Sequence, residues 1–173
     1  MTTKPETKFW KIIKNNSSKI TWTRIEAITP VGIPDLNGLF NDPKKGYGEF
    51  WCELKVSLGN KVKLSPGQIS WNMHRSRLGG KNFIMVQTLP SRGIALYSGG
   101  RTLDLASQGL TLEPCAFFSH EINWPALESW LINSCALSLW SLILVSWLKH
   151  LIHRCGPSFF ATIISSRRYL LKQ

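Results

Sequence analysis

Asp35, Glu53 and Lys55 are the residues of this chain whose types and spacing could do chemistry together. The stretch Glu49-Phe50-Trp51-Cys52-Glu53-Leu54-Lys55-Val56 alternates like a strand. Phe50, Cys52, Leu54 and Val56 leave one face, and Trp51, Glu53 and Lys55 leave the other. Asp35 ends an earlier apolar pair, Val31 and Ile33, and a hairpin between the two segments would bring it beside Glu53. Two carboxylates and an ammonium at one point make a poor core. They suit a hard divalent cation and a water held against a phosphate. In that chemistry Asp35 and Glu53 are the expected ligands of Mg²⁺ or Mn²⁺. Lys55 is expected to orient or deprotonate the water and to offset charge on the phosphate. Base work would require its ammonium to give up a proton. The competing reading is a solvated strand face with a surface Glu–Lys pair.

The elements that must position these residues follow from pattern and punctuation. Residues 5–14 read as a helix with Pro5 in its first turn and Phe9, Trp10, Ile12 and Ile13 as its apolar set, ended by Asn15-Asn16-Ser17-Ser18. A first strand covers residues 20–25 and a second residues 36–40. Residues 41–48 are rich in turn formers and are expected as a hairpin loop before the strand at 49–56. Ser65 is an N-cap with Pro66 at the first helical position, and the helix runs to about Leu78, where Gly79-Gly80 stops it. Strands are expected at 83–89 and 94–97, and a last short element at 101–110. The order α-β-β-β-α-β predicts an α/β fold, a mixed sheet flanked by helices.

These motifs, in this order, resemble the PD-(D/E)XK nuclease superfamily and, more narrowly, its virus-type replication-repair nucleases of phage and related elements. The matching residues are Glu6 to Trp10 (Glu-x-x-x-Trp), Arg24-Ile25-Glu26, Gly32-Ile33-Pro34-Asp35, Glu53-Leu54-Lys55 at 18 residues from the aspartate, and Ser65-Pro66-Gly67-Gln68 with Trp71. The resemblance covers about residues 5–110. It implies a restriction-endonuclease-like core and an endonuclease that uses Mg²⁺ or Mn²⁺ to cut DNA, selectively at branched replication or repair intermediates or by nicking. It implies the Leu54 carbonyl as a third metal ligand. Glu6 becomes the helix carboxylate of a second metal or its water, against the plain reading of a first-turn glutamate facing the helix dipole. Gln68 would hydrogen-bond the scissile phosphate or the Lys55 region. Glu26 is expected to pair with Arg24 or Lys19, and His74 to be solvated or phosphate-facing.

The chain has 173 residues, 43% of them hydrophobic, with eight Trp and eight Phe, which excludes a disordered polyelectrolyte and allows one good core. With 21 Lys+Arg against 10 Asp+Glu the formal net charge is +11, suited to nucleic acid first and an anionic membrane surface second. Lys61, Lys63, Arg75, Arg77 and Lys81 follow the motif closely and are candidates for a DNA-backbone cluster. Trp51 and Trp71 could stack on an unpaired base, with core packing expected for Trp71. The four cysteines show no metal spacing, Cys52 is expected to be buried, and the N-terminus has no secretory signal, so a reducing, cytoplasmic setting is expected.

Composition changes past residue 120, which predicts a nuclease domain at 1–120 and a hydrophobic helical extension at 121–173. Residues 131–148 carry no charge and are just long enough to span a bilayer. Basic residues on both flanks oppose that topology, and Ser134, Ser138 and Ser141 share one helical face. A buried or dimer-forming helix is therefore the first expectation and membrane association the second. Three functions follow, in order: a metal-dependent endodeoxyribonuclease, a nucleic-acid-binding module that does not cut, and a membrane-associated basic protein.

Overall fold

The structure, a computed structural model, describes residues 4–26 and 32–135. The elements in chain order are α1 (Pro5–Asn16), β1 (Thr21–Arg24), β2 (Leu36–Asp42), β3 (Gly46–Leu58), α2 (Pro66–Arg77), β4 (Asn82–Leu89), β5 (Ile94–Ser98), α3 (Thr102–Gln108), β6 (Ala116–Phe118) and α4 (Trp124–Cys135). They form an α/β fold in which helices flank a mixed six-stranded sheet. Spatial order equals chain order, β1-β2-β3-β4-β5-β6. Every neighbouring pair is antiparallel except β3–β4, which is parallel and joined through α2. The first six elements reproduce the expected α-β-β-β-α-β order of a restriction-endonuclease-like core.

Strand alternation divides the sheet into two faces. One carries Leu36 and Phe40 of β2, Phe50, Cys52 and Leu54 of β3, and Phe83 and Met85 of β4. It is covered by Phe9 and Ile13 of α1 and by Leu127, Leu131 and Ile132 of α4. Phe9 and Ile13 stand one turn apart and are fully buried, each worth about 1.5–3 kcal/mol of transfer free energy. The opposite face holds a smaller core of Ile84, Val86, Ala95 and Tyr97 against Val62, Leu105 of α3 and Leu112.

One expectation is corrected and two are made specific. The loop at 41–48 is mostly strand: β2 and β3 stay paired to Asp42↔Gly46, and only residues 43–45 turn. Asp42 makes so short a turn possible, because its Oδ1 accepts from the N–H groups of Lys44 at 2.9 Å and Lys45 at 3.0 Å. The short element at 101–110 is the helix α3, and β6 follows it at the sheet edge without a clear sequence signal. Within the helical extension expected at 121–173, α4 begins at Trp124, and residues 136–173, with most of the uncharged run 131–148, lie outside the described part.

The boundary drawn at residue 120 follows composition, whereas the packing continues past it. Glu128 of α4 is buried, and its Oε1 accepts from Ser17 Oγ at 2.6 Å and from the N–H groups of Ser18 at 2.9 Å, Lys19 at 2.8 Å and Ile20 at 3.2 Å. That one oxygen ties α4 to the chain leaving α1. Among the described residues no helix is long and apolar enough to cross a membrane.

Candidate active site

The register of β2 on β3 assembles the site. Leu36 pairs with Cys52, so the preceding Asp35 stands opposite Glu53, and the Ile25 N–H donates to the Asp35 carbonyl at 2.8 Å to prolong the β1–β2 pairing. The Leu54 N–H donates to Asp35 Oδ2 at 2.9 Å and fixes that carboxylate against β3. Glu53 is 1% exposed. Its Oε1 accepts from Lys55 Nζ at 2.9 Å and from Gln68 Nε2. The expected quartet of Asp35, Glu53, Lys55 and Gln68 is thus brought together.

Gln68 can point its amide only one way. It is the third residue of α2 and part of a capping box in which Ser65 Oγ accepts from the Gln68 N–H at 3.2 Å. In return the Ser65 N–H donates to Gln68 Oε1 at 3.0 Å, which leaves Nε2 to face Glu53. The loop before Asp35 is fitted to the same helix end. Gly32 has φ +72°, and a Cβ there would stand 2.2 Å from the Gly67 carbonyl carbon, so only glycine allows this approach.

Two carboxylates in a dry place repel each other. Burial, and then the charge of Asp35, push the Glu53 carboxyl up to about 7, while Lys55 and Gln68 pull it back. Burial also raises Asp35, against the lowering effects of the Leu54 N–H and of Lys55, and Glu6 adds a smaller raising effect through its charge. Glu53 Oε2 is buried and has no hydrogen-bond partner among the described residues. An unmatched buried carboxylate oxygen beside a second carboxylate is a donor set that fits a hard divalent cation. Glu6 lies within electrostatic reach of Asp35, but among the described residues no three His, Cys, Asp or Glu side chains converge on one point.

The candidate DNA contacts do not form one cluster. Lys61 and Lys63 are exposed in the loop after β3 and line a cavity of about 470 Å³ with Asn60, Ser107 and Gln108. Lys81 is exposed at the start of β4, where its carbonyl accepts from the Trp51 N–H at 3.0 Å. The register from Trp51↔Asn82 to Leu58↔Leu89 puts these groups about 23 Å apart along the sheet. Arg75 is occupied: its guanidinium pairs with Glu49 at 3.2 Å and lies over the rings of both Trp51 and Trp71, 5.4 and 5.5 Å from their centroids. Arg77 and His74 are exposed on α2. Trp71 is half-buried against Trp51, Arg24 pairs with Glu26 at 3.7 Å, and Cys52 is fully buried, its thiol pushed well up by burial.

The sequence reading missed what seats α2. The line Gln68, Asn72, Ser76 is polar, and Asn72 is the one fully buried residue of the helix. Asn72 Nδ2 donates to the Gln68 carbonyl at 2.9 Å, and Ser76 Oγ donates to Asn82 Oδ1 at 2.7 Å. Gly99 makes room, since a Cβ on it would stand 1.8 Å from Asn82 Nδ2. The i, i+4, i+8 spacing of these polar residues was the available signal.

No family model matches the sequence, and no curated protein matches it. Among solved structures, the 1.6 Å resolution structure of Archaeoglobus fulgidus Hjc, a Holliday junction resolvase from an archaeal hyperthermophile, is similar with a TM-score of 0.35 and 10% identity, over 54% of this chain and 74% of that one.

Proposed function

We propose that the protein is a divalent-metal-dependent endonuclease that hydrolyses DNA phosphodiesters at the Asp35–Glu53 pair. The observation that carries this reading is the meeting of Asp35, Glu53, Lys55 and Gln68 across two strands and a helix start, with Glu53 Oε2 left unmatched. Asp35, Glu53 and the Leu54 carbonyl would hold Mg²⁺ or Mn²⁺, which when bound supplies Lewis-acid stabilisation of the phosphate and a more acidic water.

The chain's own residues do the rest. Gln68, fixed by the capping box, and Lys55, fixed by its ion pair, hold the Glu53 carboxylate in one orientation. The ammonium of Lys55 has three N–H donors, one on Glu53, and the others serve to orient water and offset phosphate charge. The Leu54 N–H holds Asp35 so that both carboxylates face the same side of the sheet. Branched or flapped replication intermediates are the substrates this reading favours, and of the five candidate cations Lys61, Lys63, Arg77 and Lys81 are exposed.

The test compares wild type with Lys55→Ala on supercoiled plasmid, branched DNA and single strands, in Mg²⁺, Mn²⁺ or EDTA. Metal-dependent cutting by wild type alone is the expected result. A second reading, a module that binds without cutting, draws on the convergence of two acidic side chains rather than three among the described residues. Intact binding with no cutting under any metal would select it.

A further inference from the structure

The face of the sheet that holds Glu53 and Lys55 is covered over only half its width. α3 and the buried side of α2 lie over β4 and β5, where Ile84, Val86, Ala95 and Tyr97 are buried. Over β1, β2 and the hairpin end of β3 the same face is bare, and at its border Glu49 and Trp51 are met by Arg75 and Trp71 of α2. The register lays it out in rows. The row next to Asp35–Glu53 is Thr23–Asn37–Trp51, then come Thr21–Leu39–Glu49 and Asn41–Tyr47. Rows repeat about every 6.7 Å along the strands.

A one-sided solvated antiparallel sheet is ordinary, and its outer face is then mostly polar. Here Leu39 is 45% exposed and Tyr47 is 90% exposed. Tyr47 lies on the same strand face as Glu53, six residues or about 20 Å away, and Trp51 between them packs on Trp71 and Arg75 of α2. The carboxylates at the border are all engaged: Glu49 with Arg75, Glu26 with Arg24, and Asp42 with its own turn. Lys44 is exposed at the turn, and the bare rows offer threonine hydroxyls and asparagine amides.

We infer that this bare half-face binds an unpaired nucleic-acid strand that continues from the Asp35–Glu53 pair across β3 and β2 to the hairpin tip, with Tyr47 stacking on one of its bases. The inference rests on the nuclease reading for its starting point, since a strand held at the site has α2 on one side and this open face on the other. Its own support is the residue content: flat β-surface, an aromatic ring that is 90% exposed, neutral hydrogen-bonding groups and a cation at the far end. Duplex DNA keeps its bases stacked inside and gives such a ring nothing to meet, whereas the bases of a single strand can stack on a sheet aromatic.

The experiment measures binding of a fluorescein-labelled single-stranded oligonucleotide, and of the same sequence as a blunt duplex, in EDTA so that nothing is cut. Wild type is expected to bind the single strand more tightly. Tyr47→Ala and Thr23→Glu, both at exposed positions, are expected to weaken single-strand binding by about 5- to 100-fold and to leave duplex binding unchanged. Equal affinity for both forms, no change in either variant, or an equal loss on both forms would overturn the inference. So would a wild-type dimer that Tyr47→Ala converts to monomer, because the face would then belong to a second copy. The Lys55→Ala cutting assay is separate, so a failure of the nuclease reading and a failure of this inference are told apart.

Discussion

Asn82 of β4 reaches Asn72 of α2 twice, its Nδ2 donating to the Asn72 carbonyl at 3.0 Å and to Oδ1 at 2.7 Å. The helix that carries Gln68 is therefore seated on the sheet by hydrogen bonds between two buried amides. Such a contact has one register, where an apolar face could slide.

Replacing Asn82 by Ala removes the partner of Asn72 Oδ1 and of Ser76 Oγ in a place that is 3% exposed. The expected loss is about 1–3 kcal/mol of stability, read by urea unfolding. DNA cutting is expected to fall further than the unfolded fraction explains, because Gln68 loses its register on Glu53.

Glu53 and Asp35 give the metal-free protein a pH-dependent contribution opposite in sign to that of a carboxylate held ionised by a salt bridge. Glu53 holds its proton up to about pH 7 in the fold and releases it near 4.5 when unfolded. Its contribution is thus fully present below pH 4.5 and is lost as pH rises to about 7, a decline on the order of 3 kcal/mol. Asp35, also raised, acts in the same direction. Urea unfolding between pH 4.5 and 8 should show this slope in wild type and a flatter one in Glu53→Gln. Stabilisation by Mg²⁺, followed by thermal shift, should increase across the same range, because the cation needs the ionised form.

Gly32→Ala tests the fit between the Pro34–Asp35 loop and α2. The new methyl meets the Gly67 backbone at 2.2–2.3 Å and forces a left-handed residue to carry a Cβ. The backbone conformation alone costs about 1–2 kcal/mol, and relief of the clash must move Asp35 away from Gln68. Cutting activity should drop at least tenfold with the far-ultraviolet circular dichroism unchanged. Full activity would show that the loop's seat on α2 is irrelevant to the site.

Glu128→Ala removes the acceptor of Ser17, Ser18, Lys19 and Ile20 together. Loss of a buried carboxylate with several donors is expected to cost about 2–4 kcal/mol. A change below 0.5 kcal/mol in urea unfolding would mean that α4 is not integral to the fold.

Much of this architecture was legible because its signals are local. Pro66 after Ser65, the glycines at 79–80 and the two-residue alternation of 50–56 each report on their own neighbourhood. Asp35, Glu53, Lys55 and Gln68 were found through motif order, and the register brings them together. What was missed depends on distant partners. Nothing around Glu128 says that it accepts N–H groups more than a hundred residues away. Asn72 looks like a solvated helix residue until Asn82 is seen beside it. Arg75 reads as a free cation for DNA, and only the placement of Glu49, Trp51 and Trp71 shows that it is engaged. The even, dispersed basic charge likewise gave no hint that Lys81 and Lys61 stand at opposite ends of a strand.

Strands that neighbour in the sheet also neighbour in the chain, so each can pair with its predecessor as it leaves the ribosome. The one parallel pair among the described strands is β3–β4, which must wait for the whole of α2. By then Asp35, Glu53, Lys55 and Gln68 have all been synthesised, within one stretch of 34 residues. Closing the β3–β4 seam, the step with the larger loop-entropy cost, is then the same event that lays Gln68 against Glu53. Folding of the sheet's centre and maturation of the site become one barrier, and a mutation that slows the seam should delay activity and structure together.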